Sequence, residues 1–321
     1  MALAACTRAP PAPPTAPKPD LAAESRRVEA ATQAIYGESF ASGMVVAIVH
    51  GDQARALGFG HVGPGDPRPA DSRTLVRLQS VSKLFAGDLL ASLVEAGQAK
   101  LQDPLERYAP QGWRAPRTNR PTAAITLLDL ATHTSGLPRE APIKPGQPAA
   151  QAARARWAWL AKPRRFAPPG AGAAYSNIGF DLLGDALARA ANRPYAEALS
   201  ANVTAPLRMT DTTAAPSPEQ CARMMAPDPN RRPYPCVDQS GAAASGGLYS
   251  TASDMVLWLK AQLAPADVPG SRAISQAVYV RRETLGYAVG LDHAGYANGV
   301  GLAWIEQDAA PGRPRLLQKT G

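Results

Sequence analysis

Long apolar runs, metal-ligand clusters and nucleic-acid motifs are all missing from this 321-residue chain. No stretch approaches the roughly 18 consecutive apolar residues that cross a membrane. The four histidines show no HExxH or paired spacing, so we assign no metal. Aromatic residues make up only 6% of the chain, and no basic run is interleaved with them. These absences argue against nucleic-acid binding.

The composition is that of a basic globular protein. Hydrophobic residues make up 45% and charged residues 19% of the chain, and the formal net charge is +8. These values exclude a fibrous or broadly disordered chain, and the length suits one large domain or two interleaved ones. A basic surface favours an anionic partner such as a cell-wall polymer or a membrane surface, but scattered arginines also describe an ordinary solvated face.

The first 20 residues are rich in proline and contain Cys6. Residues 3–6 (LAAC) resemble the end of a bacterial lipoprotein signal, in which the cysteine is lipidated. The prolines that follow favour an extended spacer between an anchor and a domain. We therefore expect residues 1–20 to be a disordered tether, with Cys6 as a lipidation candidate that anchors the protein to a membrane. The alternative is a ragged N-terminus with a chance cysteine.

The other two cysteines, Cys221 and Cys236, lie 15 residues apart in a segment rich in proline and arginine. A metal site needs more ligands than two cysteines. In an oxidising compartment the pair is a disulfide candidate, and a bridge across a loop of this size stabilises a protein by about 3 kcal/mol. Two free thiols are the alternative.

Hydrophobic periodicity predicts strands at both ends of the chain and helices in the middle. We expect a buried strand over residues 43–49, its hairpin partner over 54–61, and further strands over 277–280, 285–289, 300–305 and 316–320. We expect helices over residues 21–36, 80–96, 149–161, 177–191 and 252–263, and another that begins at Thr126 with Asp129 completing a capping box.

This order of elements predicts an α+β fold. The simplest arrangement is an antiparallel sheet built from both ends of the chain, flanked by helices and interrupted by a helical insertion domain. The sheet domain is then discontinuous, over residues 21–78 and 265–321, and the mainly helical domain spans residues 79–264.

Ser80 and Lys83 are three residues apart at the start of a predicted helix, which places both side chains on one face. A serine hydroxyl is a weak nucleophile until a base takes its proton, and an ordinary lysine with a pKa of about 10.4 is protonated at neutral pH. The positive end of the helix dipole and burial would both lower that pKa. The pair is therefore a candidate nucleophile and base, or else a chance surface pair at helical spacing.

The Tyr-Ser-Asn motif of residues 175–177 follows a loop rich in glycine and proline and precedes a predicted helix. In that position Tyr175 can point into a cleft. Two neighbouring lysines would favour its phenolate form, which suits a base or an acid, and Asn177 can hold a lysine or a substrate amide. The alternative is a helix cap with a packing tyrosine.

The Lys-Thr-Gly motif of residues 319–321 ends a predicted strand. Lys319 and Thr320 can receive a carboxylate, and Gly321 leaves space for a peptide beside the strand. Any one of these three motifs can occur by chance, but all three in this order occur by chance much less often than any one alone.

In this order the motifs resemble the active site of the serine penicillin-recognising family. The Tyr-x-Asn form of the second motif is similar to the class C branch, which contains class C β-lactamases, related esterases and class C penicillin-binding proteins. Within that branch the chain resembles D-alanyl-D-alanine carboxypeptidases/endopeptidases, and the likeness covers residues 30–321. The segments that carry it are 127–138 (LLDLATHTSGLP), 137–140 (LPRE), 174–177 (AYSN), 180–183 (FDLL), 211–213 (DTT), 216–221 (PSPEQC), 312–314 (GRP) and 318–321 (QKTG).

The resemblance implies a β-lactamase/transpeptidase-like fold and a periplasmic serine D,D-peptidase that needs no metal or cofactor. Such an enzyme cleaves peptidoglycan stem peptides through an acyl-enzyme and binds β-lactams. Ser80 would be the nucleophile, Lys83 its activating partner, and Tyr175 the group that exchanges a proton with the leaving amine and then with water. The substrate-binding residues would be Asn177, Lys319, Thr320 and Gly321. The HTSG segment of residues 133–136 is interpreted as structural, because the branch carries it outside the catalytic motifs.

The resemblance also predicts a truncated C-terminus, because the family carries two more strands and a helix after the third motif. We then expect a 321-residue product to be poorly soluble or inactive. A β-lactamase or esterase on the same scaffold is a close rival, since the three motifs are common to them. A non-catalytic cell-wall-binding module is a rival of another class, which would bind D-alanine-terminated peptides without reacting at Ser80. Oligomeric state and stem-peptide preference are left open.

Overall fold

The computed structural model describes residues 21–39, 41–114, 124–144, 146–163, 166–226, 235–264 and 270–321. The predicted tether of residues 1–20, with Cys6, lies outside the described residues. The helices are α1 (Leu21–Glu38), α2 (Ser82–Glu95), α3 (Leu127–Ala131), α4 (Ala149–Leu160), α5 (Asn177–Ala190), α6 (Tyr195–Leu199), α7 (Pro218–Ala222), α8 (Ala252–Gln262) and α9 (Ser271–Gln276). The strands are β1 (Gly43–His50), β2 (Gln53–Gly63), β3 (Asp66–Pro69), β4 (Val76–Arg77), β5 (Ala173–Ala174), β6 (Tyr249–Ser250), β7 (Val280–Arg281), β8 (Ala288–Val289), β9 (Gly299–Val300), β10 (Ile305–Gln307) and β11 (Leu316–Gln318).

Two antiparallel sheets contain most of the strands. The first has the order β1–β2–β3, and its hairpin register runs from Gly43 opposite Gly60 to His50 opposite Gln53. The second has the order β11–β10–β9–β7. Two short pairs stand apart, β4 with β6 antiparallel and β5 with β8 parallel. Antiparallel sheets with flanking helices were predicted, although in the described part of the chain the strands of the two ends form separate sheets rather than one.

Strand predictions differ from the structure where apolar residues serve core packing rather than strand pairing. β1 is half-buried instead of buried, since it lies at an edge of its sheet. The strands expected over 277–280 and 285–289 shrink to the two-residue β7 and β8, because α9 extends to Gln276 and a turn follows β7. The run expected over 300–305 is broken by a turn, in which the Gly301 N–H donates to the Trp304 carbonyl at 2.9 Å.

Helix positions agree better with the prediction, because caps mark where several of them begin. α1, α2, α4, α5 and α8 begin and end within two residues of the expected bounds. Thr126 and Asp129 form the capping box expected for α3. The Ser176 and Thr251 side chains accept backbone N–H groups at the starts of α5 and α8.

α2 is the central helix of the hydrophobic core and is buried on nearly every side. Gly87 on this helix lies so close to the Leu302 carbonyl that an added Cβ would be 2.6 Å from the oxygen. Asp88, also buried, accepts hydrogen bonds from the Trp258 indole of α8 at 2.8 Å and the Ser275 hydroxyl of α9 at 2.5 Å. These contacts hold α2 rigidly, which matters because its first turn carries the candidate chemistry.

A disulfide joins Cys221, on α7, to Cys236. The two cysteines are 15 residues apart in the chain. This disulfide is the one proposed as a candidate from the sequence. No helix among the described residues is long and apolar enough to cross a membrane. The division into domains at residues 78/79 and 264/265 stays a prediction.

Candidate active site

Ser80 lies on a short 3-10 turn, Gln79–Val81, that leads directly into α2. Gln79 has a φ of +49°, a left-handed conformation that is costly for a residue with a side chain and is often retained at functional sites. Lys83 follows on the first turn of α2, and its Nζ lies 3.3 Å from the Ser80 Oγ. The two side chains therefore meet, as their spacing predicts.

The Lys83 amine is buried and surrounded by oxygen acceptors. Its Nζ lies 2.7 Å from the Asn177 Oδ1 and also donates to the backbone carbonyl of Ser245. Burial, and after it the charge of Lys319, hold the pKa of Lys83 well below its ordinary value. A neutral amine has two N–H groups and one lone pair. When the neutral amine donates its two N–H groups to the two carbonyl oxygens, its lone pair is directed toward the Ser80 hydroxyl.

Tyr175 packs between the two candidate lysines. The Nζ atoms of Lys83 and Lys319 each lie 4.8 Å from the centroid of its ring, and the Lys319 Nζ is 3.4 Å from its hydroxyl. The expectation that the phenolate is favoured is wrong: burial raises the pKa of Tyr175 above its ordinary value and outweighs the opposing hydrogen bond with Ser80 and the charge of Arg139. Tyr175 is therefore a phenol at neutral pH, which suits a proton donor.

Asn177 is held in one orientation from both sides. Its backbone N–H donates to the Arg139 carbonyl at 2.8 Å, and its side-chain Nδ2 donates to Glu140. Because Glu140 takes the amide nitrogen, the Oδ1 must face Lys83. Sequence reasoning found Asn177 but gave Glu140, 37 residues away in the chain, no role beyond its place in the 137–140 segment.

The Lys-Thr-Gly motif follows β11 and lies against the turn that carries Ser80. A Cβ added to Gly321 would be 2.6 Å from the Leu78 carbonyl oxygen, so the absence of a side chain permits this close approach. Burial, with a smaller effect from the charge of Arg139, lowers the pKa of Lys319 to about 8. Thr320 and Gly321 are exposed, which leaves them accessible to a substrate.

His133, interpreted from the sequence as structural, holds the tyrosine motif in place. Its ring stacks on that of Tyr175 with centroids 4.5 Å apart, and its Nδ1 accepts the Ser176 N–H at 3.0 Å. The hydrogen is then on Nε2, which is buried and has no hydrogen-bond partner among the described residues. Burial lowers the pKa of His133 well below its ordinary value, so the ring is neutral.

Asp181 is a further acid behind the site that sequence reasoning missed. It lines a cavity of about 230 Å³ together with Asn177 and Ser245, and it also lines a larger cavity of about 760 Å³ between α4 and α5. Burial raises its pKa to about 6. The larger cavity does not contain Ser80, so its size alone would have pointed away from the chemistry.

The described residues contain no group of three His, Cys, Asp or Glu side chains that could hold a metal ion. The arrangement instead brings a hydroxyl, a neutral amine and a neutral phenol together at the start of a buried helix. These are the groups that nucleophilic acyl transfer requires.

The chain belongs to the beta-lactamase family, since the model of that family, described as Beta-lactamase, matches residues 28–321. In sequence it is 38% identical over 298 residues to the D-alanyl-D-alanine-carboxypeptidase/endopeptidase AmpH of Escherichia coli (strain K12), a match that covers 89% of this chain and 75% of that protein. It is also 27% identical over 355 residues to the esterase EstB of Burkholderia gladioli, with 94% of this chain and 85% of that protein covered.

A solved structure gives the same result for the fold. The beta-lactamase/D-alanine carboxypeptidase of Yersinia pestis, complexed with citrate, matches with a TM-score of 0.83 and 36% sequence identity. The match covers 94% of this chain and 86% of that one. The family and the β-lactamase/transpeptidase-like fold predicted from the sequence are thereby confirmed.

Proposed function

We propose that this chain is a serine D,D-peptidase that acts as carboxypeptidase and endopeptidase on peptidoglycan stem peptides and is acylated by β-lactams. One observation carries the proposal: the Nζ of the buried Lys83 lies 3.3 Å from the Ser80 Oγ and is held there by the Asn177 Oδ1 and the Ser245 carbonyl oxygen. The likeness to AmpH of E. coli supports the choice of substrate.

Acylation begins when Lys83 takes the proton of the Ser80 hydroxyl. The Ser80 Oγ then bonds to the carbonyl carbon of the penultimate D-residue, and the C–N bond to the last residue breaks as the nitrogen takes a proton from Tyr175. The phenolate left behind lies beside the amines of Lys83 and Lys319. The proton held by Lys83 returns to Tyr175, and both groups are neutral again.

Deacylation reverses these roles with water in place of the amine. A water molecule gives a proton to the Tyr175–Lys83 pair and bonds to the acyl carbon, and the Ser80 oxygen leaves and regains its hydrogen. Asn177 orients the Lys83 amine, while Lys319, Thr320 and Gly321 receive the substrate. No metal or cofactor enters this scheme.

The test is the intact mass of the protein after incubation with benzylpenicillin, for the native chain and for Ser80→Ala. The expected result is one penicilloyl adduct on the native chain and none on the variant. Ser253→Ala, at an exposed serine of α8, is the matched control and should be labelled like the native chain. Labelling of Ser80→Ala would contradict the proposal because the reactive group would then be another residue. No labelling of the native chain would also contradict it and would favour a non-catalytic binding module.

The rival activities differ in how fast water clears the acyl-enzyme. A long-lived penicilloyl adduct together with release of D-alanine from an acyl-D-alanyl-D-alanine peptide supports the peptidase. Rapid nitrocefin turnover would favour a β-lactamase. The likeness to EstB gives the esterase rival its support, and turnover of short p-nitrophenyl esters alone would favour it.

The proposed localisation is the periplasm, where stem peptides are accessible. The disulfide between Cys221 and Cys236 supports an oxidising compartment. Lipid anchoring through Cys6 is part of the proposal, and detergent-phase partitioning of the native protein against Cys6→Ala tests it.

A further inference from the structure

Arg139 is tied to the active site through its backbone. Its carbonyl oxygen accepts the N–H groups of Asn177 at 2.8 Å and Ile178 at 3.4 Å, which satisfies two donors at the start of α5. The next residue, Glu140, holds the Asn177 side chain. The position of Arg139 relative to the Tyr175 motif is therefore fixed.

The Arg139 side chain is accessible to a ligand. Its Cζ lies 4.9 Å from the centroid of the Tyr175 ring, and the residue is exposed. No carboxylate of the described residues pairs with this guanidinium, whereas Arg156 of α4 is paired with Asp185 at 2.6 Å. An unpaired guanidinium beside a catalytic candidate is well suited to an anionic substrate group.

The chemistry of the leaving group supplies such an anion. In both proposed reactions the residue that departs as an amine carries a carboxylate two bonds from its nitrogen. Because Tyr175 gives its proton to that nitrogen, the carboxylate must also lie beside Tyr175. Lys319 is near the Tyr175 hydroxyl too, but its charge is incomplete in weakly alkaline solution because its pKa is about 8. A guanidinium stays charged and binds a carboxylate through two parallel N–H groups.

We propose that Arg139 is a specificity-determining residue whose guanidinium binds the carboxylate of the departing residue. The chain then selects peptides in which that carboxylate is free over those in which it is amidated. The inference rests on the proposed peptidase function and adds that the free carboxylate of the departing residue determines which peptides are cleaved.

The test compares an acyl-D-alanyl-D-alanine peptide with the same peptide as its C-terminal carboxamide. The native chain should prefer the free acid. Arg139→Gln should lower kcat/KM for the acid by about 10- to 100-fold, the loss expected for charge-assisted hydrogen bonds, and should leave the carboxamide nearly unchanged. Arg139→Lys should lie between the two. Arg55→Gln, at an exposed arginine of β2, is the matched control and should behave like the native chain.

Two results would overturn the inference, and they differ. If Arg139→Gln lowers kcat/KM equally for acid and carboxamide, Arg139 acts on Tyr175 or on α5 and not on the substrate carboxylate. If the native chain hydrolyses neither peptide, the peptidase function itself fails and the inference falls with it. A p-nitrophenyl ester, whose leaving group has no carboxylate, serves as a second measurement, because an intact site should turn it over equally in Arg139→Gln.

Discussion

Lys83→Met is the substitution that most directly tests how Ser80 is activated. Methionine has nearly the same length as lysine and no amine, so it removes the base and retains most of the packing. The Lys83 Nζ lies 3.3 Å from the Ser80 Oγ, and no other amine or imidazole of the described residues forms a hydrogen bond with that oxygen. A positioned general base contributes about 10²- to 10⁴-fold to a rate, or about 3 to 5 kcal/mol. We expect acylation to fall by that factor.

Stability should change much less than the rate. The variant leaves the Asn177 Oδ1 and the Ser245 carbonyl without their donor, which costs about 1 to 3 kcal/mol for each buried group. It also removes an amine that is buried at a desolvation penalty, which offsets part of that loss. The protein should therefore stay folded, with a melting temperature lower by a few degrees.

The assay is stopped-flow labelling with a fluorescent penicillin, alongside thermal unfolding of the same samples. Lys260→Met, at an exposed lysine of α8, is the control and should match the native chain in both measurements. A folded Lys83→Met that is acylated within tenfold of the native rate would refute the assignment of the base.

Two further predictions follow from buried groups on α2 and α5. The Asp181 carboxylate raises the pKa of Lys83, and neutral Lys83 is the active form. Asp181→Asn should therefore move the acid limb of the acylation pH profile to lower pH. A shift to higher pH would contradict this. Gly87→Ala should lower the free energy of unfolding by about 1 to 3 kcal/mol, because the added Cβ would press on the Leu302 carbonyl. Gly37→Ala in α1, whose added Cβ would meet no atom within 4 Å, is the control and should be neutral or slightly stabilising. Urea unfolding measures both.

Helices were predicted better than strands for a physical reason. Thr126 and Thr251 mark helix starts by a local hydrogen bond that depends only on nearby residues. The apolar run from Val300 to Ile305 satisfies the strand pattern equally well, yet Leu302 and Trp304 are apolar because they pack against the core around α2. Burial and strand pairing impose the same composition, so a short apolar run cannot separate them.

The site divides along a similar line. Ser80, Tyr175 and Lys319 act through their side chains, and the residue type alone indicates what each side chain can do. The three motifs could therefore be found in the sequence. The carbonyl of Ser245 was not, because every residue has a backbone carbonyl and only the fold selects which one meets Lys83. Asp181 was missed because its partners come from other elements of the fold.

Tyr175 illustrates why the protonation states needed the structure. The motifs predict two lysines beside the Tyr175 phenol, and two positive charges would favour the phenolate. Burial acts on all of these groups at once, and it disfavours every charged form: it lowers the pKa of Lys83 and raises that of Tyr175. Burial thus favours the neutral form of both the amine and the phenol. A neutral amine can accept the Ser80 proton and a neutral phenol can donate one to the leaving nitrogen, so desolvation, the largest cause of both shifts, favours the base and the acid in the same resting state.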